Sequence, residues 1–124
     1  MVTRTESGES GEALALAHLL KQGLRLLCRN YRVAGGPGAP AGEVDLVMRD
    51  RDGTLVFVEV RARNSMRHGG AAASVGHTKQ RRLIRAANHY LMKFASLPPC
   101  RFDVVAIDGT NVSWLKAAFD DAPT

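Results

Sequence analysis

Hydrophobic residues recur with the period of one helix face in two parts of the chain. The first set predicts a helix over residues 11–22 and consists of Ala13, Leu16, Ala17 and Leu20. The second set predicts a helix over residues 75–95 and consists of Leu83, Ile84, Ala87, Leu91 and Phe94. Pro98 and Pro99 follow this second set and end the helix, because proline cannot continue the backbone hydrogen-bond ladder.

Five stretches rich in apolar residues predict strands, over residues 24–33, 43–48, 55–62, 101–107 and 112–115. Asp-Gly pairs at positions 52–53 and 108–109 are hairpin turn signals. We therefore expect the second strand to pair antiparallel with the third, and the fourth with the fifth. The connection over residues 34–42, AGGPGAPAG, is expected to be a mobile loop, and the stretch 64–76 a flexible basic loop.

The resulting order α-β-β-β-α-β-β predicts one α/β domain, in which helices flank a mixed central sheet. A chain of 124 residues suits a single core. The predicted domain spans residues 11–118, between a flexible N-terminal segment (1–10) and a C-terminal tail (119–124). No apolar leader or membrane span stands out, and the two cysteines lie in no CxxC pair. The expected location is therefore the cytoplasm.

Positive charge is concentrated in one segment. Between Glu59 and Asp103 the chain has nine basic residues and no acidic one, while the rest has eight basic and all twelve acidic residues. Clustered cations favour a polyanion, because binding releases the counterions condensed on phosphates. We therefore expect contact with nucleic acid, in particular DNA, through Arg61, Arg63, Arg67, Lys79, Arg82 and Arg85. The alternatives are a solvated helix face or a protein-interaction domain whose basic helix meets an acidic partner; a homodimer is one option for the assembly.

Two carboxylates are predicted to meet on neighbouring strands. Residues two apart in a strand share a face, so Glu59 and Arg61 point the same way. If the hairpin register places Asp45 beside Glu59, the two acidic groups converge, which is favourable when Mg²⁺ or Mn²⁺ binds between them. The alternative is that Glu59 and Arg61 form an ordinary surface ion pair.

Several short motifs resemble those of the YraN-like uncharacterised bacterial family. They are GEALA at residues 11–15, GEVDL at 42–46, VFVEVRAR at 56–63 and RFDVV at 101–105. The resemblance extends over residues 8–105. That family is similar to the restriction-endonuclease-like superfamily of PD-(D/E)xK nucleases, and within it to archaeal Holliday-junction resolvases. The resemblance implies a restriction-endonuclease-like fold and a Mg²⁺-dependent, structure-specific endonuclease.

On this resemblance Glu12, Asp45 and Glu59 match the acidic site positions, and Arg61 occupies the position of the catalytic lysine. A lysine can hold the attacking water and help to remove its proton, whereas an arginine stays protonated. Lys79, at the start of the basic helix, could supply the lysine from another element. The alternative is a non-catalytic nucleic-acid-binding module of the same fold with a degenerate site.

Overall fold

A computed structural model describes residues 4–62 and 75–119, and residues 4–10 only as helix backbone. It contains two helices, α1 (Arg4–Lys21) and α2 (His77–Leu91). The five strands are β1 (Arg25–Val33), β2 (Gly42–Arg49), β3 (Leu55–Ala62), β4 (Cys100–Asp108) and β5 (Asn111–Phe119). This is the predicted order of elements. In the described part of the chain, neither helix is long and apolar enough to cross a membrane.

One sequence expectation about local structure was wrong. The first helix begins at Arg4 and not at residue 11, because the apolar stripe marks only the part of a helix that packs on other elements. The connection between β1 and β2 is a loop without a regular ladder, as predicted, and it contains one tight turn. Gly36 and Ala39 exchange backbone hydrogen bonds of 3.1 and 3.0 Å, and Gly38 adopts a φ of +74° that glycine permits.

The strands form one mixed sheet in the order β1-β2-β3-β4-β5. Neighbouring pairs are antiparallel except β3 and β4, which are parallel. A tight turn joins β2 to β3, in which the Gly53 amide donates a 3.0 Å hydrogen bond to the Asp50 carbonyl. Parallel strands need a longer crossover, and α2 lies in that connection. The N-terminus of β2, the C-terminus of β3 and the start of α2 therefore lie at the same end of the sheet.

The helices cover opposite faces of the sheet. The buried side chains that pack against α1 are those of Leu46, Met48, Val56, Val58, Val105 and Ile107. Against α2 pack those of Val44, Val47, Leu55, Phe57, Phe102 and Val104. Burial of this apolar surface on both faces is the main stabilising contribution. Val44 and Val47 are three apart yet lie on the same side, so the strict alternation of β2 is broken next to Asp45.

A buried carboxylate, Asp103, holds β4 and β5 together. It is fully buried and accepts hydrogen bonds from Arg101 Nε at 3.1 Å, Trp114 Nε1 at 2.9 Å and the Ala117 amide at 2.9 Å. Arg101 also donates to Asp50 at 2.9 Å. These contacts satisfy the Asp103 carboxylate from several directions, so it has a structural role. Arg101, although part of the basic segment, is occupied by the same network.

Candidate active site

Asp45 lies where the β2–β3 ladder ends. Paired positions run from Arg49–Leu55 to Leu46–Val58, so Asp45 and Glu59 are the next residues of the two strands. Instead of a backbone ladder bond, the Asp45 carboxylate accepts a 2.8 Å hydrogen bond from the Val60 amide. This bond fixes the carboxylate beside the outgoing β3 strand.

Glu59 faces Asp45 from the neighbouring strand. Its side chain is 5% exposed, and the two carboxyl groups are hydrogen-bonded to each other. Burial, followed by the charge of Asp45, raises the pKa of Glu59 to about 8. Burial also raises the pKa of Asp45, against the opposing effect of the Val60 amide. The raised pKa of Glu59 favours its protonated form near neutral pH, and in that form its carboxyl can donate to Asp45.

Lys79 approaches this pair from α2. It is the third residue of the helix, and its Nζ lies 3.5 Å from Glu59 Oε1. The Lys79 charge lowers the pKa of both Glu59 and Asp45 and opposes the burial effect. Lys79, which the sequence suggested only as a substitute for the catalytic lysine, therefore lies beside the two carboxyl groups.

Glu12 reaches the same place from α1. Its Oε1 is buried and accepts no hydrogen bond from the described residues. Burial and the charge of Asp45 raise the pKa of Glu12, whereas Arg29, whose Nη2 lies 3.8 Å from Glu12 Oε1, lowers it. Arg29 escaped sequence analysis because only the register of β1, which places it opposite Leu46, brings it here.

One cavity joins these residues. It has a volume of about 240 Å³ and is lined by Gly11, Glu12, Asp45, Glu59, Val60, Arg61, Ala62, Lys79 and Ile107. Arg61 therefore shares the cavity with the carboxylates, and its charge lowers the pKa of Glu59. All four residues that the sequence assigned to catalysis are brought together.

The donor set of the cavity fits a hard divalent cation. Among the side chains that the structure describes, in residues 11–62 and 75–119, no three or more His, Cys, Asp and Glu form a ready metal cluster. Mg²⁺, however, is usually held by one or two carboxylates, with waters and substrate phosphate completing its shell. Asp45 and Glu59 provide the two carboxylates, and Glu12 Oε1 provides a buried acceptor to which no described residue donates.

The other predicted phosphate contacts are distributed differently. Arg82 is exposed and lines a second groove beside the cavity. Arg85 is partly buried, and its Nη2 donates a 3.4 Å hydrogen bond to the Ala34 carbonyl. Arg63 and Arg67 lie outside the residues that the structure describes.

The carboxylate pair makes stability depend on pH. Folding raises the pKa of Glu59 from 4.5 to about 8, so the folded state binds more protons than the unfolded state between these values. The free energy of unfolding should therefore fall as pH rises through this window, by up to about 1.4 kcal/mol per pH unit. Urea denaturation at pH values from 5 to 9, with EDTA to remove metal ions, measures this free energy of unfolding. Glu59→Gln should flatten the profile, and a wild-type profile that rises across the window would contradict a protonated pair.

Comparison with known proteins places the chain in a family. Residues 11–107 match the model described as "Uncharacterised protein family UPF0102". A UPF0102 protein of Methylibium petroleiphilum is 66% identical over 120 residues, which cover 97% of this chain and 98% of the relative. One from Paracidovorax citrulli is 58% identical, covering 95% of this chain and 85% of the relative. The chain therefore belongs to the UPF0102 (YraN) family.

Proposed function

We propose that this protein is a divalent-metal-dependent nuclease that acts on DNA of particular structure, such as branched junctions. One arrangement carries the proposal. Lys79 Nζ lies 3.5 Å from Glu59, and the Glu59 carboxyl is hydrogen-bonded to that of Asp45 in a shared cavity. Two carboxylates and a lysine around one cavity are the residue types that metal-assisted phosphodiester hydrolysis requires.

Asp45 and Glu59 would hold the metal, Mg²⁺ or Mn²⁺. Such an ion, when bound, supplies positive charge to the phosphate and lowers the pKa of water to give a stronger nucleophile. The protonated Glu59 must lose its proton to become a ligand, because metal ligands bind as carboxylates. The shared proton and the nearby Lys79 charge hold the empty pair together without like-charge repulsion.

The surrounding side chains divide the remaining tasks. Lys79 can hold the attacking water, and its positive charge favours the loss of a proton from that water. Arg61 stays protonated and clamps a phosphate oxygen through its guanidinium donors. Glu12, with a buried oxygen that accepts no hydrogen bond from the described residues, can accept one from a water and so orient it.

The same arrangement supports a restriction-endonuclease-like fold. The sheet is mixed, helices cover both faces, and the acidic residues lie where two neighbouring strands end their ladder. The basic start of α2 stands beside them, which suits a substrate carrying phosphates.

A second candidate is a non-catalytic nucleic-acid-binding module of this fold. The observation in its favour is Arg61, an arginine at the position where the resemblance expects the catalytic lysine. Such a module would keep metal and phosphate binding and would lack a group that takes the proton of the water. A protein-interaction domain with an acidic partner is a third candidate, favoured only by the basic helix.

The test compares binding and cleavage by the wild-type protein. Calorimetry with Mn²⁺ should show a bound ion, and labelled junction, flap, duplex and single-stranded DNA should be bound more weakly as salt rises. Cleavage that requires Mn²⁺ or Mg²⁺ supports the nuclease. Binding of DNA and Mn²⁺ without cleavage supports the module, and failure to bind any of these DNAs, or RNA, overturns both.

A further inference from the structure

A second groove lies beside the carboxylate cavity. It has a volume of about 480 Å³ and is lined by Arg32, Val33, Ala34, Ala41, Gly42, Glu43 and Arg82. We call it the arginine groove. One wall is the β1–β2 connection, and the other is α2. Neither the proposed catalytic residues nor the Asp103 network accounts for it.

The walls of the arginine groove are fixed by specific contacts. A Cβ atom at Gly42 would lie 2.9 Å from the Ala86 amide, so only glycine lets β2 approach α2 this closely. Arg85 donates to the Ala34 carbonyl at 3.4 Å and ties the connection to the helix. The hydrogen bonds between Gly36 and Ala39 close the connection on itself. The groove is thus a formed surface.

The arginine groove and the cavity are neighbours along α2 and β2, because Lys79 and Asp45 line the cavity while Arg82 and Glu43 line the groove. Lys79 and Arg82 are three residues apart on α2, which places them in one row with about 5–6 Å between their Cβ atoms. Glu43 lines the groove, and its charge also raises the pKa of Asp45 and Glu12. A ligand that follows α2 can therefore contact Lys79 at the cavity and Arg82 at the groove.

The charge of the groove is available to a ligand. Arg82 is exposed, and Arg32 Nη2 lies 3.9 Å from Glu43 Oε1 with the two side chains 71% and 41% exposed. An ion pair this long and this exposed contributes little and is readily exchanged for a better partner. Two arginines against one glutamate leave a net positive groove.

From these contacts we infer that the arginine groove binds a backbone phosphate of the same nucleic-acid strand that occupies the carboxylate cavity. Arg82 and Arg32 contact this phosphate, and Arg85 positions the wall. A guanidinium matches phosphate oxygens with two parallel hydrogen bonds. A nucleic acid fits better than an acidic peptide, because the groove lies next to a cavity suited to phosphodiester chemistry and is otherwise lined by small residues. This inference rests on the proposed function.

The experiment measures binding of a labelled four-way DNA junction and a labelled single strand, with Ca²⁺ in place of Mg²⁺. Arg82→Ala and Arg32→Ala should each weaken binding roughly tenfold and lower the log–log salt slope by about one. Glu43→Gln should tighten binding about twofold to fivefold, a direction that damaged folding would not produce. Arg25→Ala, at the opposite end of β1, is the matched control and should change little.

The outcomes separate this inference from the proposed function. Wild-type protein that binds no nucleic acid refutes the proposed function. Wild-type binding that Arg82→Ala and Arg32→Ala reduce no more than Arg25→Ala refutes the groove alone. Displacement of the junction by polyglutamate at lower charge concentration than by unlabelled single strand would assign the groove to an acidic protein and overturn the inference.

Discussion

Asp45→Asn is expected to abolish Mn²⁺ binding and to lower metal-dependent DNA cleavage by about 10³-fold or more, since loss of a bound cation removes several kcal/mol of transition-state stabilisation. The amide keeps an oxygen that can accept the 2.8 Å hydrogen bond from Val60, but it loses the negative charge and has an NH2 group in place of the second carboxylate oxygen. Calorimetry with Mn²⁺ and single-turnover cleavage of a labelled junction measure the two effects.

Two further variants separate an effect on metal binding from an effect on stability. Asp45→Ala should lose metal binding equally but also lower the free energy of unfolding by about 1–3 kcal/mol, because the Val60 amide loses its acceptor. Asp52→Asn, an exposed acid in the β2–β3 turn, should leave metal binding at the wild-type level. Undiminished Mn²⁺ affinity in Asp45→Asn would place any metal elsewhere.

Lys79→Met is expected to slow cleavage by roughly 10²–10⁴-fold, the usual contribution of a positioned acid or base. Lys79 lies 3.5 Å from Glu59, close enough to act on water at the carboxylates. Metal affinity should persist, because Asp45 and Glu59 are unchanged. Single-turnover rates at saturating protein isolate the effect on chemistry from any loss of DNA affinity.

Arg61→Lys distinguishes the two interpretations of the arginine. If Lys79 supplies the lysine function, Arg61→Lys should leave the rate near that of the wild type. A large gain in Arg61→Lys, with a slow wild type, would show that Arg61 impairs the site and that Lys79 does not replace the missing lysine.

The matched control for Lys79→Met is Arg81→Met, because Arg81 is an exposed basic residue on the same helix, α2. If no form cuts any junction, flap or single strand while all bind, only the binding module survives.

The fold could be predicted to the level of its elements, because hydrophobic periodicity reports which side of each element is buried. Strands β1 to β5 and both helices occur in the predicted order. The start of α1 could not be found, since its first turns carry no apolar stripe. The order of strands in the sheet, and the placement of the helices on opposite faces, depend on long-range packing that local periodicity does not record.

Part of the candidate site could also be predicted from sequence periodicity. Asp45 and Glu59 follow from the two-residue period of a strand and a short hairpin, both local features. Glu12 came only from the resemblance, because nothing in the first helix indicates which end of the sheet it reaches. Arg29 was missed, since a bulge between Leu26 and Cys28 shifts the register that brings it beside Glu12.

The acidic and basic halves of the candidate site depend on contacts of different sequence separation, so they are expected to form at different stages of folding. Asp45 and Glu59 meet by closing residues 50–54, whereas Lys79 reaches them only when α2 packs back on β2, where Gly42 meets Ala86. The free-energy cost of closing a loop rises by about 0.6 kcal/mol for each doubling of its length. The acidic pair is thus a product of local contacts, and Lys79, with the arginine groove, is a product of non-local ones. We therefore expect the carboxylates to come together early and the basic half of the site to form only when α2 packs on the sheet.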